Sequence, residues 1–467
     1  MNIEISHNYI SVPLIELLDY VIGGDWGKEP ELKDDDYSLA YCIRGSEFKN
    51  WNTEKGKTAS LRKIKKGSLE NRKLQEGDIL IEISGGGPDQ PVGRTVVIDK
   101  SVLSFQPEVP KVCTNFLRLA RPSVHLDYRY VNYYLLFFYK YGGISDYQGG
   151  SNNLRNLKFD DYSSIEIPIA PYNEQKRIVE KIEELFSDLE KGVEYLENTK
   201  KKMKVYRQAV LKWAFEGKIT NDNSIAIVPL SQTVEQPKYG TSKKCDYKIK
   251  GKGVLRIPNI SNGFIDSQDL KFASFEKDEI ETYSLKEGDL LTIRSNGSVD
   301  LVGKCALITK KDEKFLYAGY LIRLRPNKEK VIPKFLFLVL SSHDLRIQIE
   351  SKAKSSSGVN NINSEELKSL MIPLPSIKQQ KIILQEIESR LSVCDKIEEM
   401  IEESLQQADA LHYSILKKAF EGRLVPQDPN DEPASILLQR INAEKEKNKL
   451  VMNGKKAKSR TKLKEKA

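Results

Sequence analysis

The chain matches itself at an offset of a little over two hundred residues, and no other feature limits its possible folds as strongly. Ala214-Phe215-Glu216-Gly217-Lys218 returns as Ala419-Phe420-Glu421-Gly422-Arg423. At the same offset of 205, Ile167-Pro168-Ile169 returns as Ile372-Pro373-Leu374, and Glu174-Gln175-Lys176 as Gln379-Gln380-Lys381. Upstream, Leu74-Gln75-Glu76-Gly77-Asp78-Ile79-Leu80 matches Leu285-Lys286-Glu287-Gly288-Asp289-Leu290-Leu291. Val92-Gly93-Arg94 pairs with Val302-Gly303-Lys304, and the Asn152-Asn153 pair with Asn360-Asn361. The order is the same in both halves, so the chain is a tandem duplication.

Each half has a two-part texture. Short apolar runs bounded by Gly, Asn, Asp and Pro, such as Ile79–Ser84 and Leu290–Ser295, predict β-strands. A long segment with a seven-residue apolar period then closes each half. Ile182, Leu189, Leu196, Met203 and Val210 mark it in the first half, with Ile178, Leu185 and Tyr206 interleaved. In the second half Ile387, Cys394, Ile401, Ala408 and Ile415 do the same, with Ile383 and Ile397 alongside. Such a period predicts coiled-coil helices, with Pro171 and Pro375 at their starts and Gly217 and Gly422 at their ends. Because a globular domain lies between them, the two helices are expected to pack antiparallel, as a rod of roughly 60 Å at about 1.5 Å per residue.

The expected fold class is therefore α+β: two globular α/β domains separated by two long helices packing as an antiparallel coiled coil, related by a pseudo-twofold repeat. The boundaries read as 1–170 and 221–374 for the globular domains, 171–220 and 375–425 for the helical spacers, and 426–467 for a flexible basic tail. That tail matters for charge. Glu444–Ala467 holds ten Lys/Arg and three Asp/Glu, a net +7 of the chain's formal +8. Bulk charge therefore says little about the rest of the chain. The five cysteines are scattered without a CxxC pair, which fits reduced thiols and argues against a disulfide framework or a zinc site. No apolar leader opens the sequence, and its longest apolar runs are too short to cross a bilayer, so a soluble cytoplasmic protein with no membrane partner is expected.

Two diverged readers on a spacer suit double-stranded DNA, whose groove faces recur about every 34–36 Å. Because the readers differ, the site should be asymmetric, two half-sites with an unread gap. The order globular domain, Ile-Pro-(Ile/Leu), Glu/Gln-Gln-Lys, long helix and Ala-Phe-Glu-Gly-(Lys/Arg), stated twice, resembles the specificity subunits of type I restriction-modification systems. The second half adds Tyr239-Gly240-Thr241-Ser242-Lys243 and Leu255-Arg256-Ile257-Pro258-Asn259-Ile260, which are similar to one common type of target recognition domain. The first half departs from that string, with Gly23-Gly24-Asp25-Trp26 and Tyr41-Cys42-Ile43-Arg44 at the corresponding places. The resemblance implies that each domain reads one half-site, that the helices act as a ruler, and that two methyltransferase subunits dock on them. It also implies ATP-dependent restriction subunits. S-adenosylmethionine, ATP and Mg would then belong to those partners, and this chain would hold no cofactor.

Candidate DNA contacts follow from side-chain chemistry. Arg44 and Arg256 fall at matching positions and could grip guanine or phosphate, or simply lie on a solvated strand face. Tyr239, Thr241, Ser242 and Lys243 offer hydroxyls and a cation suited to phosphate and base edges, or a plain turn. Ser84-Gly85 and Arg294 with Asn296 follow the Gly-Asp strands, where a hairpin would need similar residues. Asn152, Asn153, Ser356, Asn360 and Asn361 are rich in amide and hydroxyl groups that can pair with adenine or form turns. The cluster Arg62, Lys63, Lys65 and Lys66 reads as a solvated loop, with phosphate contact as the alternative. No P-loop, methyltransferase motif or nuclease constellation is present, so neither a catalytic nor a metal site is expected. A self-contained nuclease or modification enzyme and a purely structural coiled-coil adaptor are the competing readings. The first lacks its motifs, and the second would not need two different readers.

Overall fold

The duplication is visible in a computed structural model that describes residues 5–87, 90–150, 155–220, 225–260, 263–356 and 358–447. Two compact units are present, Met1–Glu194 with Leu405–Ala467 and Tyr195–Ser404. Each is built on the same four sheets. In the first unit Ile10–Pro13 pairs antiparallel with Glu166–Ile169. A four-stranded sheet runs Leu18–Gly23, Leu117–Pro122, Ile79–Glu82, Thr95–Val97. A three-stranded sheet places Tyr37–Ile43 between Ser60–Lys65 and Lys111–Cys113. A small sheet joins Ser84–Gly86 to Arg155–Leu157 and Gln148–Gly149.

The second unit repeats the plan. Ile227–Pro229 pairs with Met371–Pro373. Its four-stranded sheet runs Lys238–Tyr239, Leu321–Leu324, Leu290–Ile293, Cys305–Leu307. Its three-stranded sheet centres on Lys252–Leu255, and its small sheet joins Ser295–Asn296 to Val359–Asn361 and Lys354–Ser356.

Period-two geometry explains the apolar runs, because successive side chains of a strand point to opposite faces. Ile79 and Ile81 enter a core shared with the long helices, whereas Leu80 enters a separate core formed with Ile43, Phe48 and Trp51. Leu290 and Leu291 divide in the same way in the second unit. A strand buried on both faces needs no polar alternation.

Most of the repeated motifs prove to be structural. Asp78 is fully buried and pairs with Arg121 at 2.6 and 2.9 Å; Asp289 pairs with Arg325 at 2.7 Å through both oxygens. Each Asp also accepts the backbone N–H three residues before it, at 2.7 Å from Gln75 and 2.8 Å from Lys286. The preceding Gly77 and Gly288 turn at φ +91° and +93°, where a side chain would be strained. Gln175 and Gln380, both fully buried, donate to the Ala170 and Pro375 carbonyls at 2.8 and 2.9 Å. They also accept the N–H of Asp127 and Ile332, so each ties a long helix to its own sheet domain.

The long helices are Tyr172–Phe215 and Ile377–Phe420, 44 residues each. Within the first unit Ile178 and Ile182 share a core with Leu416, Ala419 and Phe420, and the Phe186 ring lies 4.4 Å from His412. Within the second unit Val210 and Ala214 share a core with Ile383 and Ile387. There Arg207 bonds Asp395 at 2.5 Å and Glu398 at 3.0 Å, and Lys200 pairs with Glu402. In both units rising numbers on one helix meet falling numbers on the other, which is antiparallel packing. The heptad positions Ile182 and Val210, and Ile387, Cys394, Ile401 and Ala408, are buried as their period requires. Tyr206 is a correction: it is 44% exposed and meets the other helix through a hydrogen bond with Arg390, while Arg207, about 100° further round the helix, bonds Asp395 and Glu398.

The expected flexible tail also needs correction, since residues 434–447 form a helix. Ala434, Leu437 and Ile441 repeat at helical spacing and are buried in the first unit's core. Arg177 holds Asp431 at 2.6 Å, His125 meets Glu444 at 2.9 Å, and Lys445 donates to the Glu16 carbonyl at 2.7 Å. The more basic stretch 448–467 lies outside the described residues. None of the helices among the described residues is long and apolar enough to cross a membrane.

Candidate nucleic-acid interface

Each unit carries a cleft at the same place in its fold. Backbone hydrogen bonds fix the correspondence. Asp25 N–H donates to the Cys113 carbonyl at 2.8 Å, and Thr241 N–H to that of Tyr317 at 2.9 Å. Ile83 N–H donates to Phe116 and Arg294 N–H to Tyr320, both at 2.9 Å. Arg44 N–H is capped by Glu47 Oε2 at 2.5 Å, and Arg256 N–H by Asn259 Oδ1 at 2.8 Å. The loops pass close to the sheet only because Gly24 and Gly240 lack a side chain. A Cβ there would sit 2.1 Å from the Thr114 carbonyl oxygen or 2.3 Å from that of Tyr317. The matching of Arg44 with Arg256 in the sequence is therefore matched in space within each unit.

The second unit's cleft is about 720 Å³ and gathers Thr241, Ser242, Lys243, Arg256, Arg294 and Asn361 from four separate stretches of chain. Lys244, Cys245, Lys271 and Tyr320 line it too, and among the described residues no carboxylate does. Its cations are not equivalent. Arg256 donates to Asp269 Oδ2 at 2.9 Å and to the Asp269 carbonyl at 3.0 Å. Lys243 folds back on Glu279 at 2.5 Å and on the Ser274 carbonyl at 3.1 Å, holding the Glu279 carboxyl below its usual range. Arg294 stacks on the Tyr239 ring at 4.8 Å and donates from Nε to Asn361 Oδ1 at 3.2 Å.

The first unit's cleft is about 520 Å³ and brings Arg44, Ser84 and Gly85 together with Trp26, Arg94 and Phe116. Arg44 is held by Glu47 Oε1 at 2.6 and 3.0 Å. Arg94 forks onto Glu82 at 2.5 and 2.8 Å, and this carboxylate raises the guanidinium pKa. Glu82 itself lines this cleft, so the first site is less cationic and more aromatic than the second.

The remaining candidates fall elsewhere. Asn296 Oδ1 accepts the Ser298 N–H at 2.9 Å, and Asn360 donates to the Gly297 carbonyl at 3.0 Å, which are turn-forming roles. Tyr239 lies beneath Arg294, its hydroxyl held by the Ser364 N–H at 3.0 Å. Asn152, Asn153 and the Ser356 side chain lie outside the described residues. Arg62 is not on a solvated loop: it sits on the strand Ser60–Lys65, is 8% exposed, pairs with Glu29 at 2.6 Å and covers Trp26 at 4.3 Å. The sequence reading missed Arg94, although Val92-Gly93-Arg94 was one of the repeat matches. It also missed the aromatic pair Phe116 and Tyr320, whose equivalence needs the hydrogen-bond register.

Comparison with known proteins agrees with this geometry. Residues 27–197 and 233–407 match the family described as type I restriction modification DNA specificity domain. The chain is 28% identical over 465 residues to the type I restriction enzyme EcoKI specificity subunit of Escherichia coli (strain K12), covering 95% of this chain and 96% of the relative. It is 26% identical over 462 residues to the StySPI specificity subunit of Salmonella potsdam, with the same coverages. A chain from a structural study of complex assembly and conformational transition of the type I R-M system superposes with TM-score 0.69 at 16% identity, covering 91% of this chain and 100% of that one. The crystal structure of the HsdS subunit from Thermoanaerobacter tengcongensis gives TM-score 0.52 at 16% identity, over 90% and 98%.

Proposed function

The chain belongs to the type I restriction-modification DNA-specificity family, and from that premise we propose that it reads a bipartite, asymmetric double-stranded DNA site, one half-site at each cleft. The observation that carries this reading is the pair of clefts on matching loops with dissimilar linings. Trp26, Glu82, Arg94 and Phe116 line one, whereas Ser242, Lys271, Arg294 and Tyr320 line the other. Matching backbones give both readers the same approach to a groove, and different side chains give them different base edges to recognise.

The chain supplies recognition to a larger assembly rather than chemistry. In this reading two methyltransferase subunits dock on the long helices, and ATP-dependent restriction subunits join them in the cytoplasm. S-adenosylmethionine, ATP and Mg belong to those subunits. The paired helices set the gap between the half-sites. The test is methylome sequencing of a host that expresses the chain with its modification partner. The expected product is one non-palindromic motif in two parts with a fixed gap. A continuous or palindromic motif would overturn the proposal.

A further inference from the structure

Among the described residues four arginines line the two clefts, and three of them are held by a carboxylate: Arg44 by Glu47, Arg94 by Glu82 and Arg256 by Asp269. Arg294 is the exception. Among the described residues its one side-chain hydrogen bond runs from Nε to Asn361 Oδ1 at 3.2 Å, and its guanidinium lies over the Tyr239 ring at 4.8 Å. Both partners are themselves fixed. The strand register places Asn361 opposite Ser295, next to Arg294, and the Ser364 N–H holds the Tyr239 hydroxyl at 3.0 Å. The guanidinium is thus backed by the ring on one side and tied at Nε by the amide.

With Nε occupied, the two terminal nitrogens are left to donate, and Arg294 lines a cleft that has no carboxylate among the described residues of its lining. Two parallel N–H donors in one plane match two acceptors in one plane. In the major groove guanine offers such a pair, O6 and N7, whereas adenine puts an amino donor beside its N7. A phosphate needs no such plane, and Lys244 and Lys271 line the same cleft.

We infer that Arg294 is the guanine-reading residue of the second unit, and that Tyr239 and Asn361 are positioning residues that aim it rather than DNA contacts of their own. This rests on the DNA-recognition reading above. It predicts a guanine in the half-site that survives replacement of residues 1–160.

The test uses the full chain with its modification partner and duplexes carrying its motif. Each guanine of that half-site is replaced singly by 7-deazaguanine, which removes the N7 acceptor. Wild type should lose about ten- to a hundredfold in affinity at one guanine. Arg294→Ala should bind the natural duplex that much more weakly and show no further loss at the same guanine. Tyr239→Ala should lower discrimination at that base pair more than it lowers affinity for non-specific DNA, which a merely structural role would not do. The deazaguanine scan of wild type needs no variant to fold. A half-site without guanine, a scan without a sensitive guanine, or an Arg294→Ala protein still sensitive there overturns the inference. So does an Arg294→Ala protein that weakens on all duplexes equally with a shallower salt dependence, because that marks a phosphate contact. A wild-type complex that prefers no duplex at all overturns the recognition reading itself, and this inference with it.

Discussion

Glu47 and Asp269 decide what Arg44 and Arg256 can do. A guanidinium already bonded to a carboxylate contributes little net charge to a passing phosphate. It keeps its remaining donors for a partner whose geometry fits. Neutralising the carboxylate should therefore loosen selectivity before it weakens binding. Glu47→Gln leaves a side-chain oxygen to cap the Arg44 N–H but exposes the cation. It should raise non-specific affinity and steepen the log–log salt slope by about one, read by titrating random-sequence duplexes at several salt concentrations. A second expectation concerns thiols. Burial pushes Cys42 and Cys305 up to about 12, and Cys113 and Cys394 are buried as well, whereas Cys245 is half-exposed at the edge of the cationic cleft. Cys245 should therefore be the cysteine that an alkylating reagent modifies first, and cognate DNA should slow that reaction, as followed by mass spectrometry. An unchanged rate would mean that DNA leaves the cleft uncovered. Arg44 and Arg256 were legible in the sequence because the repeat aligned them. Their carboxylate partners were not, since Asp269 sits in a loop with no marker and Glu47 looks like one more charged residue.

At the scale of elements, the long helices were the most legible part of the chain, because a seven-residue period leaves one apolar stripe and little choice of partner. The stripe is broken where an arginine can satisfy itself, as Arg207 does on Asp395 and Glu398. Period alone could not place that break. An insertion tests the ruler. Seven residues after Leu196 preserve the seam and lengthen the helix by about 10.5 Å, close to three base pairs at roughly 3.4 Å each. The methylated motif should keep both half-sites and gain a longer gap; an unchanged gap would remove the helices from the spacing mechanism.

The helix at 434–447 was illegible for the opposite reason. Its three buried residues are diluted by a basic stretch that dominates the composition. The Arg177 guanidinium holds the Asp431 carboxyl below its ordinary range, a contribution present at neutral pH and lost as pH falls through that lowered value. Buried Glu174 is shifted upward, so it is protonated earlier on the way down. Protection of 434–447 against hydrogen exchange, relative to an unstructured peptide, should therefore hold at neutral pH and fall in acid, and Asp431→Asn should lower it already at pH 7.

At the scale of the whole molecule, the duplication was read from motifs that turn out to hold the fold rather than the ligand. Buried Asp78 and Asp289, Gln175 and Gln380 cannot vary without undoing a unit, so they stay alike while the cleft linings drift apart. That division of labour predicts modular specificity. Replacing residues 1–160 with the equivalent part of a relative should change one half-site and leave the other and the gap intact, as read by methylome sequencing. The graft must keep the aromatic positions Tyr130, Tyr134 and Phe137, whose rings lie 5.0 to 5.7 Å from Phe420. A change in both half-sites together would contradict the modular reading.

Those ring contacts also have a consequence for biosynthesis. The first unit's core includes Leu416, Ala419, Phe420, Leu437 and Ile441, which the ribosome makes only after the entire second unit. At about 5–20 residues per second, the roughly two hundred intervening residues take on the order of ten to forty seconds to emerge. Throughout that interval Tyr130, Tyr134 and Phe137 lack the Phe420 ring that packs on them. The half of the chain made first is therefore the half completed last, and a chain that ends at Ser404 should expose those rings to chaperones and proteases while its second unit is already whole.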